Sequence, residues 1–363
     1  MNIPYVGLKK QHENLKGEIF DAISKVLDHS IFILGNEIKE FEEKFEKYCK
    51  VKYAVGVNSG TDALFFALKS ISIKKGDEVI TVPNSFLAST SSIIAANAKP
   101  VLVDVKEDMN INPDLIEPAI TKNTKAILPV HLTGKPAEMN KIIKIAEDHN
   151  LLVIEDAAQA IGAEYNHKKV GSFGVVNCFS LHPLKNLNAC GDGGVITTNN
   201  EGIYNWLLQM RNIGLKNRDE ADIWGYNSRL DTIQAAILNV KFKYLDKWID
   251  QRRENAKFYN EHLSEFVKIP IEKSGEKCVY HTYIIQTRKR DALKQHLEKN
   301  GIETKIHYPI PIHLQKAARN LGYKKGDFPI TEKLANEILT LPIYPELKKE
   351  ELIYIVEKIK EFF

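Results

Sequence analysis

Four short stretches, EVITVP, KPVLVDV, TKAILPVHL and LLVIEDAA, are apolar almost without interruption, and helical patterns separate them. A strand with one wet face alternates polar with apolar, so strands lacking that alternation must be covered on both faces. Parallel neighbours supply such cover, because each pair needs a crossover long enough to hold a helix. The flanking sequence agrees. NEIKEFEEKFEKYCK spaces Ile38, Phe41, Phe45 and Tyr48 three or four apart, as an amphipathic helix does. KYAVGVNSGTDALFFALKSI reads as strand, tight turn and helix, with Thr61 and Asp62 near the helix start. VNCFSLH and GGVITTN predict two further strands. The expected fold is α/β, with strands alternating with helices in one large layered sheet.

A long helical section, SRLDTIQAAILNVKFKYLDKWIDQRRENAKFYNEHL, follows, and charged residues crowd into it near Trp248. We place a domain boundary there, giving a large α/β unit over 1–247 and a smaller C-terminal α+β unit over 248–363. In the second unit HTYIIQT and ETKIHYP read as strands, and RDALKQHLEKN, TEKLANEIL and KEELIYIVEKIKEFF read as helices. With 363 residues the chain exceeds one average domain, which suits this division.

Composition narrows the function. The formal charge of +3 and the lack of a basic stripe with interleaved aromatics argue against nucleic-acid binding. No apolar run reaches the roughly 18 residues that span a bilayer, and MNIPYVGLKKQHENLK lacks the apolar core of a signal peptide. Cys49, Cys178, Cys190 and Cys278 are scattered without metal-ligand spacing. Reduced thiols, a cytoplasmic location, and no metal and no membrane partner are the expectations.

In parallel α/β sheets ligands bind beyond the carboxyl ends of the strands. Asp156 follows LLVIE there, Lys185 follows FSLH, and the Ser59-Gly60-Thr61 turn joins KYAVGV to its helix. Singly these residues have ordinary uses: an Asp caps or turns, a lysine is solvated, and SGT caps a helix. Together they suit pyridoxal phosphate. That cofactor needs an amine to hold its aldehyde as a Schiff base and a carboxylate against its ring nitrogen. Its phosphate needs an anion site, such as a helix N-terminus. Phe86, in VPNSFLAST, is a candidate to cover the ring.

The segments FILGNEIKEFEEKF, VNSGTDAL, VHLTGKPAEM, IEDAAQAIGA, FSLHPLKNLNACGDGG, GYNSRLDTIQAAIL and IHYPIPIH resemble, in order, the DegT/DnrJ/EryC1/StrS sugar aminotransferases. These are pyridoxal-phosphate enzymes of the aspartate-aminotransferase fold type I. The resemblance implies a large, mostly parallel seven-stranded-type sheet. It implies that Lys185 forms the Schiff base and acts as acid–base, and that Asp156 pairs with the ring nitrogen. Gln159 faces the ring hydroxyl, Gly60, Thr61 and Ser180 bind the phosphate, and Phe86 stacks. Asn227 reaches the phosphate of the neighbouring subunit, so a homodimer with shared sites is implied. His182 stands where many relatives carry tyrosine, which bears on substrate contacts.

The resemblance further implies L-glutamate as amino donor and a nucleotide-linked keto-sugar as acceptor. KIHYPIPIHLQ resembles the subgroup that aminates C3 of dTDP-linked 3-keto-6-deoxyhexoses. His182, Arg229, His307, Tyr308 and His313 are the candidates for substrate contact. A 4-keto-sugar aminotransferase, UDP- or dTDP-linked, is the alternative. A sugar dehydratase using pyridoxamine phosphate is a weaker one, because histidine replaces the lysine in that branch. A non-catalytic regulatory relative would not need Lys185, Asp156 and Gln159 together, and a nicotinamide dehydrogenase would need the GxGxxG that KYAVGVNSGTDAL lacks.

Overall fold

The computed structural model describes residues 1–363. Helices α1 (Leu8–His29) and α2 (Asn36–Cys49) lead into β1 (Tyr53–Val57), α3 (Gly60–Ser70), β2 (Glu78–Thr81), α4 (Leu87–Ala95), β3 (Lys99–Leu102) and β4 (Thr124–Ile127). There follow α5 (Met139–Asp148), β5 (Leu152–Asp156), the two-residue strands β6 (Glu164–Tyr165) and β7 (Lys168–Lys169), then β8 (Val176–Ser180) and β9 (Gly194–Thr198). Seven of these strands form one sheet in the order β1-β9-β8-β5-β4-β2-β3. It is parallel from β3 through β8, while β9 runs antiparallel to both β8 and β1.

The unbroken apolar strands are explained by what lies above and below them. On one face Ala63 and Leu64 of α3, Ile93 of α4, Ile142 of α5 and Leu207 of α6 (Glu201–Met210) pack on Val55, Ile80, Ile127 and Ile154. On the other, Phe41 and Phe45 of α2 and Leu238 of α7 (Thr232–Phe242) pack on Ala54, Phe179 and Val195. Burial on both faces leaves little room for polar residues inside the strands.

The long helical section divides into α7 and α8 (Leu245–Leu263), and α8 crosses the boundary expected at 247/248. Leu245 and Ile249 pack in the large unit. Ala256, Tyr259 and Leu263 pack with Tyr283, Leu297, Leu339 and Ile355 in a separate core. That core is built on the antiparallel pair β11 (Tyr283–Gln286) and β12 (Ile338–Leu341), with α9 (Arg290–Lys299), α10 (Pro329–Glu337) and α11 (Lys349–Phe362) nearby in the chain. Ile3, from the far end of the chain, is buried there too, its N–H bonded to Gly301 O. A short ribbon, β10 (Glu276–Lys277) against β6, ties the second unit back to the first.

One expected strand did not form. ETKIHYP contributes a single rung, Lys305 opposite Thr340. Pro309 and Pro311 follow at once, and neither has an N–H to continue a ladder. No helix is long and apolar enough to cross a membrane.

Candidate active site

The carboxyl ends of β2, β5 and β8 and the N-terminus of α3 converge. Asp156 ends β5 and is 3% exposed. Ser89 Oγ donates to its Oδ2 at 2.6 Å, and the Ala158 N–H donates to its Oδ1 at 3.2 Å. Burial pushes the carboxyl up from its ordinary range, while Ser89, the Ala158 amide and the charge of Lys185 pull it down. A cation set against it would favour the charged form.

Lys185 lies after β8 on a turn in which its N–H donates to His182 O at 2.8 Å. Its amine keeps some open surface and hydrogen-bonds to no protein group. Enclosure lowers its pKa to about 8, against the opposing charge of Asp156. The same amine acts on three imidazoles. Burial and Lys185 hold His307 down at about 4 and push His281 well below the ordinary histidine value. His182 is exposed and also lowered, first by partial enclosure and then by Lys185. Lys185 therefore faces neutral imidazoles and one buried carboxyl.

Gln159 is held from both ends of its amide. Its Oε1 accepts the Thr133 N–H at 2.7 Å, and its Nε2 donates to the Tyr308 hydroxyl at 3.3 Å. The neighbouring Gly134 has φ +88°, and a Cβ there would lie 3.1 Å from Gln159 O and 3.0 Å from the His281 nitrogen. Only glycine permits that close approach. Burial raises the Tyr308 phenol to about 12, so it serves as a neutral donor or acceptor. Phe86, 56% exposed, lies 6.0 Å from the Tyr308 ring between centroids.

The start of α3 presses on β8. A Cβ on Gly60 would stand 2.7 Å from the Cβ of Ser180, so the backbone reaches Ser180 only without a side chain. Ser59 Oγ accepts the Asp62 N–H at 3.0 Å and caps the helix. The N–H groups of Gly60 and Thr61 lie in the first turn, where no intrahelical carbonyl reaches them. With the helix dipole they form an anion site beside the Ser180 hydroxyl. Free amides for a phosphate, an unbonded amine near neutrality and a buried carboxyl are the donor set pyridoxal phosphate requires, and the residues fit it.

Two of the expected substrate residues, His313 and Arg229, are engaged with other protein groups, while Asn227 stands beside Thr61. His313 has no exposed side-chain surface: its Nε2 is 3.0 Å from Glu332 Oε1, and its ring packs edge-on against Phe328. Its imidazole is thus enclosed within the protein beside Glu332 and Phe328. Arg229 donates to Asn212 Oδ1 at 2.8 Å, and Asn227 is exposed nearby, in a shallow depression with Thr61, Phe65 and Tyr226.

The sequence reading missed His281, Ser89 and the support behind Asp156. His281 carries a signal, being the one imidazole in the aromatic and aliphatic run CVYHTYII. The support is a fully buried pair: His131 Nδ1 accepts the Ala137 N–H, which directs Nε2–H to Glu155 Oε2 at 2.9 Å. Glu155 also accepts N–H groups from Gly171, Phe173 and Gly174. It thereby fixes the end of β5 from which Asp156 projects. Both residues stand in the sequence as ordinary polar residues, with nothing to reveal their pairing.

Residues 13–360 match the model of the DegT/DnrJ/EryC1/StrS aminotransferase family. The chain is 46% identical to a pleiotropic regulatory protein of Geobacillus stearothermophilus, over 100% of this chain and 99% of that one. It is 42% identical to a UDP-N-acetyl-3-dehydro-alpha-D-glucosamine 3-aminotransferase of Acidithiobacillus ferrooxidans, over 99% and 97%. It is also 42% identical to a dTDP-3-amino-3,6-dideoxy-alpha-D-galactopyranose transaminase of Aneurinibacillus thermoaerophilus, over 99% of each. Among solved structures, that of Streptomyces venezuelae DesV in complex with a ketimine intermediate superposes with a TM-score of 0.97 at 38% identity, covering 99% of this chain and 98% of that one.

Proposed function

Because the chain belongs to the DegT/DnrJ/EryC1/StrS aminotransferase family, we propose that it moves an amino group from L-glutamate to C3 of a nucleotide-linked keto-sugar. The observation that carries this reading is the Lys185 amine, unbonded, at a pKa of about 8 and under the charge of Asp156. Pyridoxal phosphate, when bound, supplies the aldehyde that takes up amines and the protonated ring that stores electrons. The rest of the work falls to this chain. Asp156, oriented by Ser89, keeps a proton on the ring nitrogen. Gln159 would face the ring hydroxyl, Phe86 would cover the ring, and Gly60, Thr61 and Ser180 would take the phosphate. Lys185 Nζ would take the proton from the donor's α-carbon, hold it as ammonium and return it when the amino group is passed on, a task for which an amine near neutrality is suited.

His182, His281 and His307, which feel the charge of the amine, and Tyr308, bonded to Gln159, are the proposed sugar-facing groups. Amination at C3 is supported by the similarity to two relatives whose names place the amino group at that carbon, one on a UDP sugar and one on a dTDP sugar. The nucleotide is therefore left to the test. We assign the exposed Ile31, Phe32, Ile33, Leu34, Trp224 and Tyr226 to a homodimer contact. That contact would bring Asn227 to the neighbouring site.

The test is turnover with L-glutamate and a panel of UDP- and dTDP-linked 3-keto and 4-keto sugars, the product carbon read by NMR. Amination at C4 alone would overturn the C3 assignment. A protein that binds the cofactor yet converts no keto-sugar, and leaves glutamate untouched, would favour the regulatory reading suggested by the Geobacillus relative.

A further inference from the structure

Lys241 is fully buried in α7, yet its ammonium meets no carboxylate. Its Nζ donates to Asn188 O at 3.0 Å, to Asn188 Oδ1 at 2.5 Å and toward His12 Nε2 at 3.2 Å. The one neighbour able to carry a compensating negative charge is Cys190, whose Sγ is 3.9 Å from Nζ and 4.0 Å from His12 Nε2. Taking a cation out of water without a counter-charge is costly, so the amine is held by neutral acceptors here, with the sulfur alongside. Burial lowers the Lys241 pKa, and Cys190 opposes that shift, as a counter-charge does.

Cys190 is also the exposed cysteine; Cys49, Cys178 and Cys278 are buried. It sits at one side of a groove along α1 lined by Lys9, His12, Glu13, Lys16, Ile19 and Phe20, with two lysines to one carboxylate. Lys16 Nζ stands 5.6 Å from the centre of the Phe20 ring, and Lys9 has only a 4.0 Å contact with Glu13. The groove thus offers an apolar surface and two weakly engaged cations in front of a thiol with a third cation behind it.

We propose that Cys190 is a modification site, a nucleophilic thiol that exchanges with small anionic disulfides entering along Lys9 and Lys16. The sulfur attacks one sulfur of the disulfide, a new S–S bond forms, and the old one breaks. The released half departs as a thiolate and the Cys190 proton goes to water, so the exchange needs no other oxidant. The modification also reaches the proposed active site. Asn188, which Lys241 holds, donates from Nδ2 to Lys185 O at 3.0 Å. An adduct on Cys190 displaces Lys241, loosens Asn188 and frees the turn that carries Lys185.

The test uses the full-length protein with its cofactor and two probes, the anionic dithiobis(nitrobenzoate) and the neutral dithiodipyridine. One thiol per chain is expected to react fast, and Cys190→Ser removes that phase. Lys9→Glu with Lys16→Glu slows the anionic probe about tenfold or more, and changes the neutral probe about twofold or less. Lys241→Met slows both probes; should that variant misfold, the surface pair still decides the matter. A fast thiol elsewhere, or equal charge dependence for the two probes, overturns the site. Turnover is expected to fall in step with the single adduct, to return with dithiothreitol, and to persist in oxidant-treated Cys190→Ser. Full turnover in the labelled protein overturns the link to Lys185. The labelling arms need no substrate, so their outcome is separable from that of the proposed reaction.

Discussion

Asp156 and Lys185 divide the proposed chemistry, and each assignment has its own test. Asp156→Asn keeps the side-chain volume and loses the charge. The variant is expected to retain the cofactor, measured by absorbance of the purified protein, while turnover falls about 10²–10³-fold, the scale of removing one preorganised electrostatic group. Lys185 makes a prediction about folding. In the cofactor-free chain its pKa drops from 10.5 to about 8. Between those values the unfolded chain still holds the proton that the folded chain has released, so stability from this group rises as pH rises through that window. Below it both states are protonated and the folded chain bears the full cost. Urea midpoints of wild type minus those of Lys185→Met should therefore climb from pH 8 upward; a flat difference would contradict the lowered value. Both residues stand out in the sequence because each comes at or after the end of an apolar strand, and the structure puts Asp156 at the end of β5 and Lys185 after β8. His281 and Ser89 do not stand out, since their importance lies in what the fold sets beside them.

At the scale of the element, the junction of α3 with β8 is the sharpest case. Gly60→Ala would drive a methyl group into Ser180, and the N-terminus of α3 would have to retreat. Equilibrium dialysis is expected to show weaker cofactor binding in this variant, with the helix content unchanged by circular dichroism. Ser59→Ala removes the cap instead, at a cost of about 1 kcal/mol in global stability. Strands buried on both faces were easy to read, as were helices with a clear apolar stripe. ETKIHYP was misread, because its alternation resembles a strand while the prolines behind it stop the ladder. His313 is expected to face substrate from its place in KIHYPIPIHLQ, but its pairing with Glu332 depends on α10, which the local sequence does not announce.

At the scale of the molecule, the two units share α8 rather than meeting at a linker. Arg252, midway along it and 8% exposed, donates to the carbonyls of Tyr280 at 3.2 Å and Ile343 at 2.7 Å. Arg252→Met leaves those carbonyls without a donor and is expected to cost roughly 2–4 kcal/mol in urea unfolding. Hydrogen exchange should quicken in β11 and β12 before it does in β5 and β8. The rise in charge near Trp248 sets the expected division inside α8, which runs through it, because an amphipathic stripe does not say which of two cores it serves. Here the stripe serves both in turn, Ile249 one and Tyr259 the other. A single stiff rod clamped at either end transmits rotation without absorbing it. The groups contributed by the second unit, Tyr308 and His281 among them, are thereby held at a set bearing to Lys185. An incoming sugar would then be sorted by its fit to a cleft already shaped, with little to gain from one that folds around it.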